Sequence, residues 1–213
     1  MSGPGAAPLP DWPEVAPASG AVTLRRVEDR DAGMVRDLAT DPYVPLIGTL
    51  PPRAGREEAL DYIMRQRRRH PEGAGFSFAI ADARTDQALG VIGLWLRDYG
   101  LGRGQAGYAV APSARGRGVA TDALRALVRF AWTLPCLHRV ELHIEPWNAA
   151  SIGVARRAGF SYEGILGSYL EIGGERRDLA SYAVIRTAPP ETLSPPASGM
   201  PTVISDGRPT SAP

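Results

Sequence analysis

The sequence predicts a mixed α/β domain whose central sheet, about seven strands wide, carries helices on both faces. Three observations predict it. Apolar residues recur with the spacing of strands in some stretches and of helices in others, and the two kinds of stretch are interleaved along the chain. Three strand-like runs follow one another in mid-chain with no helix between them. The resulting order, β-α-α-β-β-β-α-β-α-β-β, lacks the strict alternation of a doubly wound fold. With 213 residues and 44% apolar residues, the chain can build one globular domain with length left for flanking segments.

The domain is expected over residues 21–187. Residues 1–20 and 188–213 are rich in proline and small residues, too poor in apolar surface to offset chain entropy, and are expected to be disordered. Val22, Leu24 and Val27 mark a first strand, followed by a helix over about Asp31 to Ala39. A loop holding Pro42, Pro45, Pro51 and Pro52 comes next. Ala59, Leu60, Ile63 and Met64 then share one face of a helix from about Arg56 to Arg69. Phe76, Phe78 and Ile80 alternate as a strand, and the apolar run Leu89 to Leu96 reads as a central one, with a hairpin turn at Asp82 to Gln87. A third strand at Ala106 to Val110 leads through Ala111-Pro112-Ser113 into a helix from Gly118 to about Trp132. Val140, Leu142 and Ile144 form another strand, a helix spans about Asn148 to Ala158, and Gly159-Phe160 opens the last strands, which end at Leu179 to Ile185.

Composition excludes several function classes. A net charge of +1 gives no reason to expect a nucleic acid as partner, and no segment approaches the ~20 apolar residues of a membrane span. The first residues give no basic start followed by an apolar run, so none is read as a secretory signal. The single cysteine, Cys136, forms no internal disulfide and suits a reducing cytoplasm. His70, His138 and His143 show no ligand spacing with Cys136, so no metal is expected. Gly102-Arg-Gly104-Gln-Ala-Gly107 matches G-x-G-x-x-G in form, but it precedes a strand instead of joining a strand to a helix. Arg65 and Arg67–Arg69 end a helix, where cations suit the macrodipole and usually face solvent, with a patch facing substrate or RNA as the alternative.

The chemistry concentrates in Gly107-Tyr-Ala-Val110-Ala-Pro-Ser-Ala-Arg115-Gly116-Arg117-Gly118-Val119-Ala120, a strand, a Gly- and Arg-rich turn, and a helix start. Unpaired N–H groups at a helix N-terminus suit an anion. Glycines allow close approach, and Arg115 and Arg117 can add charge-assisted bonds to phosphate. Arg115-Gly116-Arg117-Gly118-Val119-Ala120 resembles the pyrophosphate-binding signature of the GNAT superfamily of N-acyltransferases, Gln/Arg-x-x-Gly-x-Gly/Ala. A second block, Asn148-Ala-Ala-Ser151 with Gly159-Phe160 and Glu163-Gly164, resembles the branch containing the ribosomal-protein N-terminal acetyltransferases, as do Asp178 and Tyr182 in the closing strand.

The resemblance implies a mostly antiparallel sheet that splays into a V-shaped cleft beside a bulged strand, here Tyr108-Ala109-Val110. It implies acetyl-CoA as co-substrate and direct attack by a primary amine in a ternary complex. The pyrophosphate would lie on Arg115–Ala120, and an N–H near Val110 or Ala111 would polarise the thioester carbonyl. Asn148 would bond the cofactor arm, although it is also suited to cap its helix, and Ser151 would stand near the departing sulfur as proton donor. Oligomeric state is left open, a homodimer included. The amine must react as free base, yet two acidic positions of relatives are filled here by Gln105 and Leu170, and Ala155 replaces a tyrosine of other branches. Glu141, His143 and Glu145, on one face of their strand, remain as candidate bases. Without a strong base, a protein N-terminus or a weakly basic small amine is favoured over lysine. Two other readings stay open, a non-catalytic acyl-CoA-binding module and a transferase of another acyl group such as succinyl.

Overall fold

Residues 9–187 are described in the computed structural model, and the Pro-rich segment 188–213 lies outside them. In chain order the elements are β1 (Ala18–Ser19), β2 (Val22–Arg26), α1 (Ala32–Leu38), α2 (Val44–Ile47), α3 (Arg56–Arg68), β3 (Gly75–Asp82), β4 (Ala88–Trp95), β5 (Arg103–Val110), α4 (Val119–Ala131), β6 (Arg139–Ile144), α5 (Ala149–Arg157), β7 (Ser161–Ile172) and β8 (Glu175–Ile185). The strands form one sheet in the order β1-β2-β3-β4-β5-β6-β8-β7. Every neighbouring pair is antiparallel except β5 and β6. The eighth strand, beyond the expected seven, is the two-residue β1. The short α2 falls in the expected Pro-rich loop, where Pro45 stands in the first turn and its fixed φ favours helix.

The expectation of disorder up to residue 20 is corrected for residues 9–20. Trp12 packs on Phe76 and Phe78, with ring centroids 5.6 and 4.8 Å apart, and the Arg26 guanidinium lies 4.2 Å from its ring centre. His70 Nε2 is 2.9 Å from the Pro10 carbonyl oxygen. One indole supplies apolar area that a count of prolines does not register.

Side-chain alternation assigns the two faces. Phe76 and Phe78 meet Phe130 of α4 at 4.8 and 5.4 Å, so that face also carries Ile92, opposite Phe78, and Tyr108, opposite Ile92. Ser77 donates to Gln66 of α3, so the other face carries Gly93 and Gly107 in the same cross-strand row. Helices α4 and α5 pack together on the first face, and α1 and α3 on the second. The core is fully buried on both sides, with Leu24, Ile80, Ile92, Leu124 and Leu127 under α4 and Leu38 and Ile63 on the other side.

The site is positioned by an interruption in the sheet. β5 and β6 pair only at Arg103–Gln105 with Arg139–Glu141, and beyond Gln105 the strands part. On its other edge β5 keeps unbroken one-to-one register with β4 from Gln105 to Val110, so the expected bulge is not present in that ladder. The opening lies wholly between β5 and β6.

Candidate active site

Below the opening, the chain turns from β5 into α4. Gly116 and Gly118 have φ of 77° and 79°, and a Cβ on either would meet no atom within 4 Å. The left-handed backbone therefore needs glycine, and the space above it is free. Gly118 caps α4 without a side-chain bond, which leaves first-turn N–H groups directed outward. Both arginines of the turn already have protein partners. Arg115 lies 2.7 Å from Asp41 and donates to the Val110 carbonyl at 3.1 Å, while Arg117 donates to the Ser113 carbonyl at 2.8 Å. The anion-binding capacity of Arg115, Gly116, Arg117, Gly118, Val119 and Ala120 thus rests on backbone N–H groups and the helix dipole, with the guanidinium groups bracing the turn.

In the opening itself, the Ala111 N–H donates to the Leu89 carbonyl of the neighbouring strand β4 at 2.9 Å. By the alternation of an antiparallel ladder, Tyr108 and Val110 turn their N–H groups away from β4 into the gap. Of the two expected positions Val110 therefore offers the free donor. Across the gap, α5 begins at Asn148, whose Oδ1 accepts from the Ser151 N–H at 3.0 Å. Capping occupies that oxygen and leaves the Asn148 amide NH2 for a ligand. The Ser151 hydroxyl faces Tyr108, whose own hydroxyl is buried without a hydrogen-bond partner. Burial raises the Tyr108 phenol above its ordinary pKa, and Ser151 offsets part of that rise without reaching hydrogen-bond geometry. An orphaned buried hydroxyl, a free strand N–H and an open helix start fit a ligand that has a phosphate end and a polar acyl end. In the sequence Tyr108 is legible only as a strand residue, although it stands inside the Gly107–Ala120 stretch.

The second face presents the acid–base groups. Gln105 Nε2 is 3.4 Å from His143 Nδ1, and the His143 ring meets Tyr169 at 5.1 Å. Burial lowers the imidazole pKa, against the pull of Glu141 3.7 Å away and with help from Arg139, so the ring is neutral at pH 7. Glu141 is held by Arg139 at 2.5 Å, and Arg139 also grips Glu163 of the second motif. Glu145 is 4% exposed and accepts from the Tyr43 hydroxyl at 2.5 Å, with Arg177 3.9 Å away. Burial first, and then Glu145, raise the Tyr43 pKa, and the exposed Trp147 stacks edge-on against that ring at 5.1 Å. Of the three strand candidates, His143 is the one whose side chain meets that of Gln105, while Arg139 engages Glu141 and Tyr43 engages Glu145. Leu170 stands exposed, and irregular pairing between Leu166 and Leu170 precedes it.

Known proteins share this architecture. The family profile described as "Acetyltransferase (GNAT) domain" matches residues 21–161. An uncharacterized N-acetyltransferase p20 of Bacillus licheniformis is 28% identical over 165 residues, covering 78% of this chain and 93% of its own. The [ribosomal protein uS5]-alanine N-acetyltransferase of Escherichia coli is 26% identical over 184 residues, with 78% and 88% covered. The structure of Mycobacterium smegmatis RimJ in complex with CoA-disulfide superposes with a TM-score of 0.68 at 28% identity, covering 80% of this chain and 84% of that one. With a family match over well more than half its length and an anion-ready turn beside a parted sheet, the chain belongs to the GNAT family and is an acetyl-CoA-dependent N-acetyltransferase.

Proposed function

We propose that the acceptor is an α-amino group at a protein N-terminus, or a small amine of similar basicity, and that His143 receives its proton. The observation that carries this is the neutral imidazole beside Gln105, in the place where an acid would otherwise stand. A weak base suffices for an amine with a pKa of about 7.7–8.0 but serves poorly for lysine at about 10.4. The amine enters from the face of α1 and α3, while acetyl-CoA lies under α4 and α5. Its nitrogen attacks the thioester carbon, and the Val110 N–H holds the oxygen as it gains charge. The C–N bond forms, the excess proton passes toward His143, and the C–S bond breaks. Ser151, backed by Tyr108, hands a proton to the departing thiolate and regains one from solvent as His143 releases to solvent the proton it took.

The relative that acts on uS5 is named for an alanine substrate, which agrees with an N-terminal acceptor. A bacterial cytoplasmic setting accords with the bacterial relatives and with a single free cysteine, Cys136. The test is a competition at pH 7 between peptides with a free N-terminus and blocked lysine and peptides with the reverse. Faster labelling of the first set is expected, and faster labelling of lysine would overturn the reading.

A further inference from the structure

The cations at the end of α3 are not alike. Arg65 donates to the Thr49 carbonyl at 2.9 Å, Arg67 donates to the Val27 carbonyl and pairs with Asp29, and Arg68 pairs with Glu72. All three are exposed, as the helix dipole alone would arrange them. Arg69, expected with them in solvent, turns inward instead. It is the only arginine among the described residues that is not solvent-exposed and that has neither a hydrogen bond nor a carboxylate partner. Its guanidinium lies 4.8 Å from the Trp95 ring centre, and Tyr62 of α3 is near enough to act on its charge. Burial disfavours its charge, with Tyr62 giving only a small opposing pull.

The position of this cation is informative. Trp95 pairs with Gln105 across β4 and β5, and Arg69 Nη1 would lie 3.2 Å from a Cβ on Gly93. Gly93 pairs with Gly107, where a Cβ would meet the Trp95 ring at 2.8 Å. Two glycines thus make room for the indole, and the indole carries the guanidinium on the face from which the amine enters. A half-buried guanidinium without an anion is costly unless a ligand supplies one.

We propose that Arg69 binds a carboxylate on the acceptor, making this enzyme selective for amines that carry an acidic group close to the nitrogen. The inference rests on the acceptor face assigned above. The carboxylate has two sources, an Asp or Glu side chain near a protein N-terminus or the α-carboxylate of a very short peptide.

Calorimetry on the full chain saturated with CoA separates them. One peptide pair differs as Ala-Asp against Ala-Asn within a longer amidated sequence, and a second pair is Ala-Ala against its C-terminal amide. In at least one pair the acidic member should bind about 10-fold tighter or more, since a charge-assisted bond distinguishes the two. Arg69→Met should remove that difference while acetyl-CoA affinity holds, and Arg69→Lys should keep part of it. If Arg69→Met fails to fold, Arg69→Gln answers the same question. Equal binding within both pairs, or a preference that survives loss of the guanidinium, overturns the proposal. Failure of the α-amine reading has a different signature, in which no peptide is acetylated while acetyl-CoA still binds. Binding selectivity, read without turnover, decides on Arg69 even then.

Discussion

At the scale of single residues, three side chains carry predictions. Because burial depresses its pKa, His143 titrates below the ordinary imidazole value of about 6.5 and gains charge as the pH falls. The kcat/KM profile should therefore fall on the acid side in two limbs, one from the amine near 8 and one from His143 below 6.5. His143→Gln should lower kcat by about 10–100-fold and erase the lower limb, as a pH series of initial rates would show. Ser151→Ala should lower kcat by about 10-fold or more with little change in acetyl-CoA affinity, because its bond matters when the thiolate leaves. Tyr108→Phe should give a smaller loss of the same kind. A kcat unchanged in both variants, with chemistry rate-limiting, would leave these hydroxyls merely structural. Ser151 entered as a candidate through the resemblance of Asn148-Ala-Ala-Ser151 to a family block, and its role remains proposed. The sequence could not single out His143 from Glu141 and Glu145, since that choice depends on Arg139 and Tyr43, which occupy the two acids from distant positions.

At the scale of elements, the turn before α4 was legible because glycine spacing reports backbone shape directly. Gly118 needs a positive φ, and its α-hydrogens face open space. Gly118→Asp should abolish the rise in Tm that acetyl-CoA gives the wild type, through a strained backbone and a carboxylate set against phosphate. Differential scanning fluorimetry with and without acetyl-CoA checks this, and an undiminished shift in the variant would place the pyrophosphate elsewhere. The strands and long helices were legible to within a few residues, since their apolar periodicity reflects burial. The short α2 was not, because four residues with a proline leave no period to read. Nor did the motif reveal that Arg115 and Arg117 brace the turn, because their partners Asp41 and Ser113 are fixed by the folded loops.

At the scale of the whole molecule, the amino-terminal segment ties the sheet to the end of α3 through Trp12, which touches Phe76, Phe78 and His70 together. Trp12→Ala should cost about 2 kcal/mol, less than the ~3–5 of a fully buried tryptophan, and lower Tm by roughly 4–8 °C. A thermal melt unchanged by this substitution would mean that the contact adds nothing to stability. The sequence missed this attachment because proline and alanine dominate the segment's composition, whereas one aromatic residue dominates its energetics.

The ion pair between Arg115 and Asp41 has a consequence for how the two substrates sense each other. Asp41 also accepts the N–H groups of Tyr43 and Val44, at 2.7 and 2.9 Å. Burial alone would raise its carboxyl pKa, but those bonds and Arg115 bring it below the ordinary value. One carboxylate therefore joins the turn proposed for the acetyl-CoA pyrophosphate to the loop whose Tyr43 holds Glu145. A shift of Asp41 on acetyl-CoA binding would reach both elements, and linkage would make that effect reciprocal. Acetyl-CoA should tighten peptide binding by the same factor that the peptide tightens acetyl-CoA, and Asp41→Asn should shrink both factors toward one in titrations run in either order. The enzyme would then bind its substrates as a thermodynamically coupled pair, not as two independent guests.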